Sequence, residues 1–293
     1  MKNKGIFYSF VVMIIWGLLF PMVKLGYQTL GIKTVGDILT FAGFRFLICG
    51  MVITIFAIIR NPQSFKSIKN YWVQVLLSGF FAIVLHYGFT YVGLKMTDGS
   101  KTAILKQLGA VFYICFSAFF FPDDKVTIKK ISGLLLGIGG IVAINIGENG
   151  MTFHLGDLLI IAASFCTVFS NVISKKVFDF VEPIVSTGVS QLFGGIVLMI
   201  IGHGVGGDVV NIIPKTVQQI TVFASILVAS IISYCLWFIT VKKEELSKLF
   251  IIKFSEPIFA ALFGWILLSE NIFNLNYFLA FLLISAGIIV ASL

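Results

Sequence analysis

Ten runs of roughly 20 apolar residues follow one another along the chain, separated by short connections, and that is the length at which a helix crosses about 30 Å of hydrocarbon. They lie near 6–28, 37–59, 71–94, 100–121, 128–147, 155–177, 183–202, 217–240, 246–268 and 273–292. With 58% hydrophobic and only 12% charged residues, against about 25% charged in soluble domains, the chain has no way to hide its apolar surface from water. Lipid must cover it, and in lipid the backbone has to satisfy its own hydrogen bonds, which points to helices. An all-α membrane protein of ten transmembrane helices is expected. The first run is long enough to stay in the membrane and lacks a small-residue cleavage site followed by a soluble domain, so no cleavable signal peptide is expected.

A second regularity divides the chain. Ser100-Lys101-x-x-Ile104-x-Lys106 recurs as Ser247-Lys248-x-x-Ile251-x-Lys253, an offset of about half the 293 residues. The same offset relates Ser78 to Ser225, Tyr87 to Tyr234, Lys95 to Lys242, Phe112 to Phe259, Asp123 to Glu270 and Gly140 to Gly287. Self-similarity at one fixed spacing is the mark of an internal repeat. The expected units are residues 1–147 and 148–293. Each holds five spans, an odd number, so the second enters the membrane upside down relative to the first. Two inverted five-helix repeats are typical of secondary transporters, whose sites lie where the repeats meet. Basic residues favour alternate connections: Lys2, Lys4, Arg60, Lys66, Lys69, Lys125, Lys129, Lys130, Lys175, Lys176, Lys242, Lys243 and Lys248 on one side, against Lys33, Lys95, Lys101 and Lys215 on the other. The positive-inside rule then puts both termini in the cytoplasm.

The net charge of +8 follows this topology and is not clustered as a nucleic-acid surface requires. Cys49, Cys115, Cys166 and Cys235 fall in four different spans without CxxC or Cys/His spacing, so no metal and no cofactor is expected and the thiols read as small buried apolar groups. The expected partners are a small-molecule substrate and the lipid bilayer. Nothing in the sequence sets the oligomeric state, and a homodimer is compatible with it.

Charged and polar groups within the spans are the candidate site. Lys106 lies roughly 7–8 Å deeper than Lys101 along its helix, and Lys253 repeats this on the ninth span from the opposite membrane face. A lysine at such depth is retained where it meets a cavity or partner, or it snorkels back to the interface. Lys253 has Glu256 three residues on, within reach on a helix, and Pro257 lacks the N–H that the carbonyl of 253 would accept, which predicts a kink and a free acceptor there. Ala110 stands at the proline's equivalent position, so Lys106 is the expected anion anchor and the Lys253, Glu256 and Pro257 cluster a gate, a coupling site or a structural pair. Pro21 similarly frees the carbonyl of Gly17 beside Trp16. On the third span Gly79, Ala82, His86, Thr90 and Gly93 form a stripe at helical spacing, fit for close packing or for lining a pocket. Tyr87, Tyr113 and Tyr234 can supply hydroxyls to substrate or fill the core, as can Tyr91. Arg45, alone among apolar residues, suits either a structural pairing or a substrate contact. Trp72, Trp237 and Trp265 fall nearer helix ends, where an aromatic belt accounts for them.

The run Trp16-Gly17-x-x-Phe20-Pro21-x-x-Lys24, Arg45, the segment from Lys101 to Asp123, Gly156-Asp157, and the stretch from Glu256-Pro257-Ile258-Phe259 to Ser269-Glu270 together resemble the EamA branch of the drug/metabolite transporter superfamily. The resemblance covers essentially the whole chain. It implies a carrier in a bacterial inner membrane with a central cavity lined by helices 1, 3, 4, 6, 8 and 9. Such carriers move amino acids, sugars, nucleotide derivatives and other small metabolites. Ala110-Val111 and Pro122-Asp123 depart from the pattern in the first half.

Transport of a small carboxylated or zwitterionic metabolite, an amino acid first, is therefore the expected function. Lys106 would hold the carboxylate while His86, Tyr87 and Tyr113 shape the pocket, and Glu256 with His86 would be the groups for any proton coupling. A phosphorylated-metabolite or nucleotide-sugar exchanger is the second reading, with Lys106, Lys253 and Arg45 clamping a phosphate. His203-Gly204-Val205-Gly206-Gly207-Asp208 has the H-x4-D spacing of membrane acyltransferases but no accompanying nucleophile or acidic dyad. A non-transporting sensor lacks the soluble signalling domain it would need. An enzyme is not expected.

Overall fold

A computed structural model describes residues 4–94, 96, 105–145, 154–269 and 275–292. Lys95, the Ser100-Lys101 and Ile104 part of the first pattern, and Glu270 lie outside the described residues. The helices are α1 (Lys4–Leu30), α2 (Val35–Arg60), α3 (Ile68–Gly79), α4 (His86–Leu94), α5 (Leu108–Phe120), α6 (Ile128–Asn145), α7 (Leu155–Val177), α8 (Pro183–Gly204), the single-turn α9 (Val209–Ile212), α10 (Val217–Lys243), α11 (Leu246–Ile252), α12 (Glu256–Leu268) and α13 (Leu275–Ser292). No strand occurs among the described residues. Among the described residues, with Pro62–Gly93 and Leu246–Leu268 each taken as one continuous helical segment, seven segments are long and apolar enough to cross a membrane, and Leu108–Phe120 and Phe278–Ala291 are shorter apolar helices.

Polar residues at the span boundaries stop and start these helices. Thr34 caps α2 by accepting from the Asp37 N–H at 3.0 Å. Thr216 and Gln219 form a reciprocal capping box at α10, and Pro183 opens α8 at a position where its missing N–H would be unpaired anyway. Gly31, at φ +69°, ends α1 in the left-handed region that suits glycine.

Large apolar side chains face outward where lipid would cover them: Phe119 is 87% exposed, Ile128 84% and Val217 81%. Inside, α2 packs along α8, α6 along α13, α1 against α10 and α12, and α4 against α7. The α2/α8 contact is built on glycine at seven-residue spacing, Gly36, Gly43 and Gly50 against Gly188, Gly195 and Gly202. A Cβ on Gly50 would stand 2.3 Å from the Leu192 amide nitrogen, and one on Gly195 2.4 Å from that of Leu47. Helices in lipid associate through such close backbone approach, since lipid tails are as apolar as the side chains.

Three helices are not simple rods. Between α3 and α4 the chain makes a π-helical stretch, Phe80–Leu85, a distortion that single-sequence periodicity does not reveal. A turn at Lys106–Gln107 immediately precedes α5, and a 3-10 turn, Lys253–Ser255, separates α11 from α12. Beside Pro257 the α-helix gives way to a 3-10 turn, and the expected free acceptor is absent: the Glu256 N–H bonds the Lys253 carbonyl in that tighter pattern. Pro257 itself occupies the first turn of α12, where a proline costs no hydrogen bond. The corresponding turn at Lys106 forms without proline. Pro21, by contrast, sits inside an uninterrupted α1, held where Gly17 fits against Phe259 and Ala260.

Candidate functional site

Trp16 and Phe20 stand one helical turn apart on α1, and a lysine reaches each. Lys253 Nζ lies 5.6 Å from the Trp16 ring centroid and Lys106 Nζ 5.2 Å from that of Phe20. The two lysines were expected toward opposite faces; instead they converge on one face of α1, because depths measured from opposite ends of two broken helices meet near the middle. Glu256 lies within electrostatic reach of both, and His86 within reach of both lysines. No contact ion pair joins Lys253 to Glu256 among the described residues; the ammonium sits over the Trp16 ring instead. By formal charge, two lysines face one carboxylate here among the described residues.

His86 opens α4 directly after the π-helical stretch. Its Nδ1 is 3.0 Å from the Ala163 carbonyl and 2.9 Å from Thr167 Oγ1. A carbonyl only accepts, so the geometry assigns the proton to Nδ1 and leaves Nε2 of a neutral ring as an acceptor. The rest of the stripe is packing surface: a Cβ on Gly79 would meet the Ser190 carbonyl at 2.6 Å and one on Gly93 the Gly156 carbonyl at 2.9 Å.

The Trp16 indole donates to Ser233 Oγ at 3.0 Å and its ring lies 5.0 Å from that of Trp237. Trp237 is not a belt residue. It is 2% exposed and donates to Asn171 Oδ1 at 2.8 Å, while Asn171 Nδ2 donates to the Thr167 carbonyl at 2.7 Å. Trp72 and Trp265, at 55% and 41% exposed, do face outward. Sequence reasoning passed over Ser233, Asn171 and Thr167. The available signal was Thr167 and Asn171 four apart, two polar residues on one face of a span.

Tyr87 and Tyr234 share a hydrogen bond of 2.7 Å between their hydroxyls, and Tyr87 packs edge-on to His86 at 5.0 Å. Arg45 lies on the other side of Tyr87, 3% exposed, with Cζ 4.3 Å from the Phe46 centroid and 5.4 Å from that of Tyr87. Its Nε has no hydrogen-bond partner. Each cation–π contact supplies about 0.5–2 kcal/mol, so the two offset part of the roughly 2.5–3.5 kcal/mol or more that a membrane-embedded charge costs. They do not satisfy the Nε donor.

Tyr113 is placed elsewhere. Fully buried, it donates to Asp124 Oδ2 at 2.8 Å in a cluster that ties the α5–α6 loop to the start of α11. Asp124 also accepts from Lys130 Nζ at 2.6 Å, from Ser247 Oγ at 2.6 Å and from Ser247 N at 3.2 Å. Lys130 reaches Glu245 at 3.0 Å, which pairs with Lys248 at 3.3 Å. Nearby, Lys175 donates to the carbonyls of Val241 and Glu244. Burial would raise the Asp124 carboxyl, but the hydrogen bonds from Lys130, Ser247 and Tyr113 outweigh it and hold the group below the usual carboxylate range. Asp123 and Asp124 are paired acids in a loop with Lys125, Lys129 and Lys130, and that pair among lysines was the sequence signal.

The H-x4-D motif has local structural work. His203 Nδ1 meets the Gly207 carbonyl at 3.1 Å, and Asp208 caps α9 by accepting from the Val210 N–H at 2.9 Å. Among the described residues no group of three or more His, Cys, Asp or Glu side chains converges as a metal site, and the four cysteines are free thiols.

A multi-pass helical protein whose cations, indoles and phenols gather beside one membrane-length helix, α1, has the makings of a membrane transporter. The sequence profile of the EamA-like transporter family matches residues 3–146 and 154–293: the chain belongs to this family. Among its relatives, the uncharacterised transporter YoaV of Bacillus subtilis is 25% identical, over 94% of this chain and 92% of its own length. A probable amino-acid metabolite efflux pump of Escherichia coli is 25% identical, over 98% and 94%. A WAT1-related chloroplast protein of Arabidopsis thaliana is 24% identical over 80% of this chain, which spans 58% of that protein's length. A solved crystal structure superimposes with a TM-score of 0.78 at 18% identity, over 97% of this chain and 96% of the other, which establishes likeness of fold. The Bacillus subtilis and Escherichia coli relatives carry the names of a transporter and an efflux pump, not of enzymes.

Proposed function

We propose that the chain is a secondary carrier of ten transmembrane helices, arranged as inverted five-helix repeats over 1–147 and 148–293, that moves a small carboxylated or zwitterionic metabolite by alternating access. The observation that carries this reading is the convergence of Lys106 and Lys253 on Trp16 and Phe20 with Glu256 in reach. One net positive charge on an aromatic floor suits a carboxylate on a small organic body. Lys106 holds the carboxylate, and His86 Nε2 and Glu256 accept from a substrate ammonium. An amino acid is the first candidate, in keeping with the name of the Escherichia coli relative.

The packing supports the repeat. Equivalent helices meet in pairs, α2 with α8 and α6 with α13, and the two lysine turns are equivalent positions. The distribution of lysine and arginine favours both termini in the cytoplasm, and the bacterial relatives favour the inner membrane of a bacterial cell. On that topology the Asp124 cluster lies at the cytoplasmic end, where it holds the two repeats together while the other end opens.

Uptake of a metabolite panel into proteoliposomes tests the reading. Lys106→Ala should lose most transport of every carboxylated substrate; wild-type rates for all of them would remove Lys106 from the mechanism. Competition by inorganic phosphate separates a phosphorylated-metabolite exchanger, for which Arg45 lies in a different cluster from the two lysines.

A further inference from the structure

We propose that Arg45, with the phenols of Tyr27, Tyr87, Tyr91 and Tyr234 around it, forms a second anion site that takes a carboxylate, distinct from the lysine site beside Trp16 and Phe20. The first argument is comparison with another buried cation. Lys130 is 5% exposed and Arg45 3%, yet Lys130 has two carboxylates, Asp124 and Glu245, at 2.6 and 3.0 Å. The groups within electrostatic reach of Arg45 are Tyr87, Tyr91, Tyr234 and Cys49, together with Tyr27. Among the described residues no carboxylate is one of them.

Unfilled hydrogen-bonding capacity is the second argument. Arg45 Nε is buried and unpartnered. Tyr27 Oη approaches Tyr91 but makes no hydrogen bond of good geometry, and it too is buried without a partner. A guanidinium presents a planar fork of donors that fits a carboxylate with two parallel bonds, and a phenol adds a further donor from the side. The flat rings of Phe46 and Tyr87 hold the guanidinium in place, so the fork is oriented before any ligand arrives.

Position gives the site its use. Tyr27 lies ~10 Å beyond Phe20 along α1, toward the end of that helix where Gly31 turns the chain. Tyr87 touches the Arg45 group on one side and His86 on the other. The cage is thus a station between that end of the bundle and the lysine site, with Tyr87 shared by both. The transport role rests on the carrier reading; carboxylate binding itself does not.

Purified protein in detergent, titrated with sodium benzoate, sodium acetate and inorganic phosphate, provides the test, read as saturable shifts of apparent melting temperature. A Lys106→Gln background removes the main competing cation. In that background benzoate should still stabilise the protein, Arg45→Lys should weaken the effect about ten-fold, and Arg45→Gln should abolish it. Should Arg45→Gln fail to fold, Tyr27→Phe and Tyr91→Phe remove only hydroxyls, and each should weaken benzoate by about three- to ten-fold. Unchanged benzoate affinity in the Arg45 variants, or in both tyrosine variants, overturns the proposal, as does loss of all carboxylate binding in Lys106→Gln alone. Phosphate binding more tightly than benzoate, and lost with Arg45, overturns the carboxylate assignment. If benzoate follows Arg45 while Lys106→Ala still transports normally, the lysine anchor falls and this site stands.

Discussion

Tyr87 and Tyr234 lie 147 residues apart in the sequence, and their hydroxyls meet at 2.7 Å, joining α4 to α10. On the proposed inverted repeat the two tyrosines are equivalent positions, and a pair related by a two-fold can meet only on its axis. Each hydroxyl is the other's partner in a part-buried setting. Removing one strands the other, which costs about 1–3 kcal/mol, whereas removing both can be nearly neutral. Tyr87→Phe and Tyr234→Phe should each lower the melting temperature in detergent, and the double variant should be no less stable than the weaker single one. Additive losses in the double variant would show that the two hydroxyls act independently.

The glycine contact between α2 and α8 makes a sharper prediction about size. Alanine at Gly50 places a methyl 2.3 Å from a backbone nitrogen, which no side-chain rotation relieves, so the helices must separate. Gly50→Ala and Gly195→Ala should each cost about 1–3 kcal/mol, the range for overpacking. Gly88 lies on α4, with nothing within 4 Å of its Cβ direction; Gly88→Ala should be neutral or stabilising by up to about 1 kcal/mol, as helix propensity predicts. Thermal unfolding of the three variants side by side checks the ranking.

Asn171 joins two helices by a single amide. It accepts from the Trp237 indole at 2.8 Å and donates to the Thr167 carbonyl one turn back, which fixes which end of the amide faces the indole. Asn171→Leu leaves a buried indole N–H without an acceptor and should destabilise by about 1–3 kcal/mol. Asn171→Asp keeps the acceptor but loses the donor to Thr167. It should still hold Trp237, so its tryptophan fluorescence should stay close to wild type while that of Asn171→Leu shifts.

What was legible in the sequence was what depends on one residue at a time. Hydropathy marked the apolar helices because lipid rewards apolar length locally, and the fixed offset picked out Tyr87 with Tyr234, which the structure brings into contact. Convergence was not legible. Lys106 and Lys253 looked remote because depth was counted along straight helices, and the turns at Lys106–Gln107 and Lys253–Ser255 change where those depths lead. Trp237 was misread for a related reason: its position near a predicted span end suggested a lipid interface, while the partner that buries it, Asn171, comes from another helix. Tyr113 and Asp124 are joined through a loop whose path hydropathy does not encode.

That loop supplies the last prediction, which concerns pH. Asp124 titrates lower in the folded protein than in the unfolded chain, since hydrogen bonds from Lys130, Ser247 and Tyr113 overcome the effect of burial. A carboxyl depressed by folding stabilises the fold above its unfolded value, about 3.9, and that contribution is lost as pH falls through the lower folded value. Asp124→Asn removes the charge at every pH. The cost near neutral pH should be about 1.5–3 kcal/mol, the range for hydrogen bonds to a charged group. It should stay below the roughly 3–5 kcal/mol of a fully broken buried pair, because Glu245 still faces Lys130. The gap in melting temperature between wild type and Asp124→Asn should therefore be constant above about pH 5 and close progressively below about pH 4. A gap that widens on acidification would mean that Asp124 is protonated more readily in the folded protein, against the geometry of its four donors.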